Sequence, residues 1–170
     1  MVNVILIIIL LICLFTDLKY RKIFNIITIP TIIFAVIHNS LIAGYEGFLF
    51  SAKGFFVGLI VFLIPYLLGG MGAGDVKLMA AIGALMGTSF VFYSFIYTGL
   101  IGGFIAIVLI VKNNGLKNLI KSLIFNVVFF RSNLGSIIFP IGKEKSRILF
   151  PYGIAIVLGT LCTLIWGGYK

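Results

Sequence analysis

Apolar residues run along this chain in long blocks, separated by short clusters of charge and glycine. A hydrocarbon core ~30 Å thick needs about 20 mostly apolar residues per helical span. Reading the blocks against the charges predicts spans near 2–16, 25–43, 54–70, 76–88, 90–111 and 148–167. The fourth and fifth blocks are almost continuous, and at ~1.5 Å per residue one helix would far exceed the bilayer. The pattern therefore predicts a break at Gly87-Thr88-Ser89, near the outer surface. The expected fold is an all-α polytopic membrane protein of six spans.

Composition strengthens that expectation. Of 170 residues 62% are hydrophobic and 10% charged, against roughly 45–50% apolar and ~25% charged in an ordinary soluble domain. Six spans use nearly the whole length, so residues 1–170 read as a single integral-membrane domain embedded in a lipid bilayer. The apolar run 4–15 resembles the core of a signal peptide, but its positive charges (Lys19, Arg21, Lys22) follow the run and no small-residue cleavage site is visible. It reads as a retained first span.

The net charge of +9 raises the question of nucleic acid. Nucleic-acid binders gather Lys and Arg on an exposed face, whereas here they sit between apolar runs, as topology signals do. If residues 17–24, 71–77 and 112–147 face the cytoplasm, that side holds eleven of the thirteen basic residues, leaving out Lys53 and Lys170. Both termini are then extracytoplasmic, and the span number is even. Within 112–147, Leu116, Leu119, Ile120, Leu123, Ile124, Val127 and Val128 recur at helical spacing opposite Lys117, Asn118, Lys121 and Ser122. That spacing predicts an amphipathic helix on the anionic inner leaflet.

Candidate chemistry is sparse. Cys13 and Cys162 lie inside apolar runs and read as small buried hydrophobes. His38 stands alone in the second span, no HExxH occurs, and no metal site is expected. The glycine-rich segment fits neither nucleotide-binding pattern, no cofactor motif is present, and no signal marks an oligomeric state. Ser136 follows a glycine with no base to partner it.

Two aspartates remain. Asp17 ends the first span and Asp75 follows the third. The second and third spans form a hairpin between them, so both carboxylates face the same side. Asp75 comes directly after Gly69-Gly70-Met71-Gly72-Ala73-Gly74, four glycines in six residues, a segment that lets another backbone approach closely. Two carboxylates brought together share a proton: one stays protonated and the other charged. The charged member can take a proton from water while its partner polarises a scissile carbonyl or protonates the leaving amine. The residues alone leave blander roles open. Asp75 could cap a helix starting at Val76, and Asp17 could pair with Lys19 or Arg21 at the interface.

The segment GMGAGDVKLMAAIG, residues 70–83, resembles the GxGD motif of the type IV prepilin peptidases and the related archaeal preflagellin peptidases. TDLKYRKIFN, residues 16–25, resembles that family's first aspartate with its basic cluster, and FPYGIAIVLG, residues 150–159, resembles its last span. The family commonly has Ile-Pro-Asn where this chain has Ile23-Phe24-Asn25. The resemblance implies a membrane aspartic endopeptidase with Asp17 and Asp75 as catalytic pair and Gly72 and Gly74 as motif glycines. It also implies leader cleavage from pilin-like precursors on the cytoplasmic side. Larger bacterial members add an N-terminal cysteine-bearing segment and N-methylation, so the expectation here is the short, peptidase-only form. The alternative from another class is a non-proteolytic membrane carrier or assembly factor that uses an interfacial carboxylate pair.

Overall fold

The computed structural model describes residues 2–20, 22–67, 71–108 and 152–166, and every regular element among them is an α-helix. These are α1 (Val2–Tyr20), α2 (Asn25–Leu67), α3 (Ala73–Met86), α4 (Thr88–Val108) and α5 (Tyr152–Trp166). Many of their residues are Ile and Val, which are mediocre helix formers in water. In lipid the preference matters less, because a segment that leaves backbone groups unbonded there loses several kcal/mol for each.

Three helices, α1, α2 and α4, are long and apolar enough to cross a membrane. At 14 and 15 residues, α3 and α5 are shorter. Large apolar side chains point outward on α1, α2, α4 and α5, with Ile26 and Leu41 each 81% exposed. Such a surface suits lipid as its solvent.

The 43 residues of α2 would stretch about 65 Å as one straight helix. The run is broken at Gly44, whose φ of 58° and ψ of −133° lie where only glycine is unstrained. The chain reverses there, and its two arms pack against each other. Asn39 Nδ2 donates to Ser51 Oγ at 2.8 Å, and Ser51 Oγ donates to the Ala35 carbonyl at 3.3 Å. Gly47 lies so close to the Asn39 carbonyl that any side chain there would collide with it. The sequence pattern predicts a connection from 44 to 53 at this point; instead a single residue turns the chain and the helix resumes at once.

The second arm of α2 then packs antiparallel on α3. Gly54 faces the Gly83 carbonyl, and one turn on, Gly58 faces the Met79 carbonyl; a Cβ at either glycine would strike backbone. Small residues permit this approach, on which helix association in lipid depends. Phe50 fills the space beside Gly87, whose φ of 85° breaks the chain between α3 and α4, at the expected position. From Leu78 to Leu85 every residue of α3 is buried. Asn39 Nδ2 also reaches the Ala84 carbonyl at 3.3 Å, so one amide ties both arms of α2 to α3.

α4 and α5 pair in the same antiparallel manner, with hydroxyl residues joining the small ones. Ser94 Oγ donates to Thr163 Oγ1 at 3.3 Å, Gly159 abuts Thr98, and Gly102 meets Ala155. The buried face of α1 is Leu6, Leu10 and Cys13, part of a core that includes Leu78, Met79, Ile82, Phe90 and Ile156. Cys13 is buried as expected, whereas Cys162 is only half-buried. His38 stacks on Phe34, with ring centroids 5.5 Å apart.

Residues 1–102 and 151–170 form one unit and residues 103–150 another. Of the second, only the end of α4 falls among the described residues. The expected amphipathic helix at 116–128, the basic residues from Lys112 to Arg147, Ser136, Arg21, Gly69, Gly70 and Lys170 lie outside them.

Candidate active site

The sequence pattern ends the first span at residue 16, but α1 continues to Tyr20, which puts Asp17 within its last turns. The side chain is half-buried. Its carboxylate lies against the backbone of Gly153 near the start of α5, where any added Cβ would meet Oδ2. Lys19, two residues on, places its ammonium over the rings of Phe15 and Tyr20, 5.8 and 5.3 Å from their centroids.

The start of α3 also differs from expectation. The helix begins at Ala73 with Gly72 as its N-cap, so Ala73 and Gly74 belong to its first turn and only part of the glycine-rich segment is loop. Asp75 is the third helical residue. Its Oδ2 accepts a hydrogen bond from the Gly72 N–H at 3.0 Å, while its own N–H donates to the Gly72 carbonyl at 3.1 Å. This is the carboxylate half of a capping box, satisfying a backbone donor that the helix leaves unbonded. The capping role that the residues left open is therefore present. It does not exhaust what Asp75 does, because the residue is only 8% exposed, which a surface cap does not require.

Asp17 and Asp75 line one cavity of about 340 Å³. Gly72 and Gly74 line it too, with Lys22, Ile23, Phe24, Asn25 and Ala73 completing the wall. All four residues singled out by the motif thus come together at one end of the bundle, from segments far apart in the chain. The lack of a side chain at Gly74 is used here: a Cβ would come within 3.0 Å of Ile23 Cβ and within 3.3 Å of the Ile23 carbonyl, closing α3 off from the segment that follows α1.

Asp75 stands just before the apolar part of α3, and its protonation is set by competing influences. Burial dominates and raises its pKa; the Gly72 N–H bond lowers it; the charge of Asp17 raises it again. The outcome is a carboxyl pushed up from an ordinary 3.8 to about 6. Desolvation wins because a single N–H bond does not replace the water removed.

The sequence profile of the type IV leader peptidase family matches residues 4–107. The chain belongs to that family. No curated protein and no solved structure matches the chain. Family membership makes the protein a leader peptidase by descent, one whose substrate is a precursor protein handled in a membrane. The matched range takes in Asp17, the segment 22–25, the start of α3 and Asp75, that is, the entire wall of the cavity.

Several residues around this leader-peptidase cavity are given no catalytic role by the sequence pattern. Lys22 and Lys77 read as topology signals, yet Lys22 lines the cavity and Lys77 Nζ donates to Asn25 Oδ1 at 2.9 Å. Gly153 makes room for the Asp17 carboxylate, and Tyr152 lies within electrostatic reach of Asp75. The signal for the last two is their place in the segment resembling the family's final span. Nothing in spacing or periodicity pairs Lys77 with Asn25.

Proposed function

We propose that this protein is an aspartic endopeptidase that removes leader peptides from type IV pilin-like precursors, with Asp17 and Asp75 acting as a pair. The observation that carries the reading is that both carboxylates line one cavity while burial holds one of them toward its protonated form. Asp75 keeps the shared proton and Asp17 serves as base. Asp17 takes a proton from water as its oxygen attacks the scissile carbonyl carbon, and Asp75 donates to the carbonyl oxygen that becomes negative. When the tetrahedral intermediate collapses, the C–N bond breaks, the leaving nitrogen takes the proton that Asp17 received, and Asp75 recovers its own.

The cavity suits an extended substrate segment. Its wall is mostly backbone and small residues between Gly72 and Asp75, which lets a peptide come close to the carboxylates. Counting the two arms of α2 separately gives six helical segments among the described residues, in keeping with a six-span reading. Lys19, Lys22 and Lys77 gather at the cavity's end of the bundle, which under the positive-inside rule favours cleavage at the cytoplasmic face, with both termini on the opposite side.

The test is co-expression with a pilin-like precursor, comparing the wild type with Asp17→Asn and Asp75→Asn, which hardly change shape. Processing by the wild type and its loss in both variants is expected. Processing at the wild-type rate by either variant removes that residue from the mechanism. If the wild type leaves the precursor intact, the peptidase reading fails.

A further inference from the structure

Asn25, in the wall of the cavity, is tied to a residue of a different element that lies outside the wall. Asn25 opens α2, and Lys77 lies on α3 two residues beyond Asp75. Their side chains meet at 2.9 Å although both are exposed. An exposed bond of this kind contributes little to stability, so its place in the fold is more informative than its strength. The start of α3 touches the segment 22–25 a second time, where Gly74 seats on Ile23. That same segment follows directly from α1, which carries Asp17. Residues 22–25 are thus the common reference against which both carboxylates are held.

We propose that Lys77 is a positioning residue: by donating to Asn25 it fixes the first turn of α3 on the segment 22–25, and so sets where the Asp75 carboxylate stands relative to Asp17. The inference rests on the reading of Asp17 and Asp75 as a working pair. Its chemical logic is that proton transfer through two carboxylates tolerates little misplacement; an error of about 1 Å can cost on the order of a hundredfold in rate. The ammonium suits the task because its long stem reaches across to the neighbouring element while its head stays hydrated at the rim. Lys77 acts through the helix that bears Asp75, not by contact with the substrate.

The test uses the full-length protein in detergent, with Lys77→Met, Asn25→Ala and the double variant assayed on the same pilin-like precursor. Each single change is expected to lower kcat about tenfold or more with KM altered less than twofold, and the double variant to be no slower than the worse single one. Lys77→Arg, which can still donate to Asn25, should recover part of the rate. If the double variant loses the product of the two single losses, or if Lys77→Met raises KM at unchanged kcat, the proposal is overturned, the second result making Lys77 a substrate contact.

A second readout needs no substrate. The chain has only two aspartates, so labelling aspartate with carbon-13 at its carboxyl yields two signals, assigned with Asp17→Asn. Among the described residues the groups around Asp75 are Asp17, Lys22 in the same cavity, Tyr152 and the Gly72 N–H, with Lys77 on its own helix. Asn25→Ala leaves every one of those charges in place. If the tie holds the turn, its loss admits water and separates the carboxylates, and the Asp75 titration midpoint moves down toward the ordinary carboxyl range. An unmoved midpoint overturns the proposal. A wild type that cleaves nothing would end the peptidase reading, while the titration would still test the tie by itself.

Discussion

Glycine is used differently at the two ends of this bundle. At the cavity end, Gly74 and Gly153 leave space that is occupied by a neighbouring segment and by the Asp17 carboxylate. At the other end, Gly44 and Gly87 adopt positive φ to turn the chain, while Gly47 brings the two arms of α2 into backbone contact. The first set makes room for chemistry and the second for architecture. Substitutions in the first set should damage cleavage before folding, and substitutions in the second set, or between α2 and α3, should do the reverse.

The largest effect is expected in the architectural set. Gly83→Leu would drive a side chain into the Gly54 carbonyl and against Val91, and because the Gly54 backbone cannot move aside the cost should exceed about 3 kcal/mol. Gly99 meets no neighbour among the described residues, so Gly99→Leu should be close to neutral. Equal thermal transitions for the two variants in detergent would remove the distinction between packed and open glycines. Next come the carboxylates: Asp17→Asn or Asp75→Asn should slow precursor processing by at least about 10²-fold while the protein still folds.

Stability against pH extends the contrast, because a group held for chemistry imposes a cost on folding. An acid whose pKa is raised by folding stabilises the protein while protonated. That contribution is complete below about 4 and is lost as pH rises through about 6. The shift corresponds to roughly 3 kcal/mol. Asp75→Asn keeps an acceptor for the Gly72 N–H but cannot ionise. It should therefore be more stable than the wild type at pH 7, with its stability flattened between pH 4 and 6. A wild-type transition temperature that rises over that interval would contradict the burial of Asp75.

Gly153→Ala sharpens the comparison from the side of α5. The added methyl must displace the Asp17 carboxylate, so kcat should fall about tenfold with the melting transition shifted little. The smallest expected effect belongs to the α4–α5 seam: Ser94→Ala removes the hydrogen bond to Thr163 and should cost about 1 kcal/mol without touching cleavage.

Much of this is legible in the sequence, for identifiable reasons. Long apolar blocks announce helices, and the break at Gly87 follows from bilayer thickness alone. Asp17 and Asp75 stand out because carboxylates are scarce in such a chain. The connection at 44–53 is legible, but that Gly44 alone makes the turn is not, because its backbone angles emerge only when the arms pack. The start of α3 lies three residues earlier than the pattern predicts, because Ala73 and Gly74 look like loop until the Gly72 N–H is seen bonded to the Asp75 carboxylate. Lys77 shows its charge and its place two residues after Asp75, but no local pattern reveals its partner on another helix.

That bond from Gly72 to Asp75 has a further consequence. A protonated carboxyl is a poorer acceptor than a carboxylate, so each time Asp75 takes up its proton the first turn of α3 loses part of its cap. The amide of Gly72 becomes a built-in gauge of the protonation state: its protection from hydrogen exchange, relative to the hydroxide-catalysed rate of an open amide at the same pH, should fall as Asp75 is protonated and rise as the proton leaves. The acid's condition could then be followed in the resting protein from the backbone, with no substrate present.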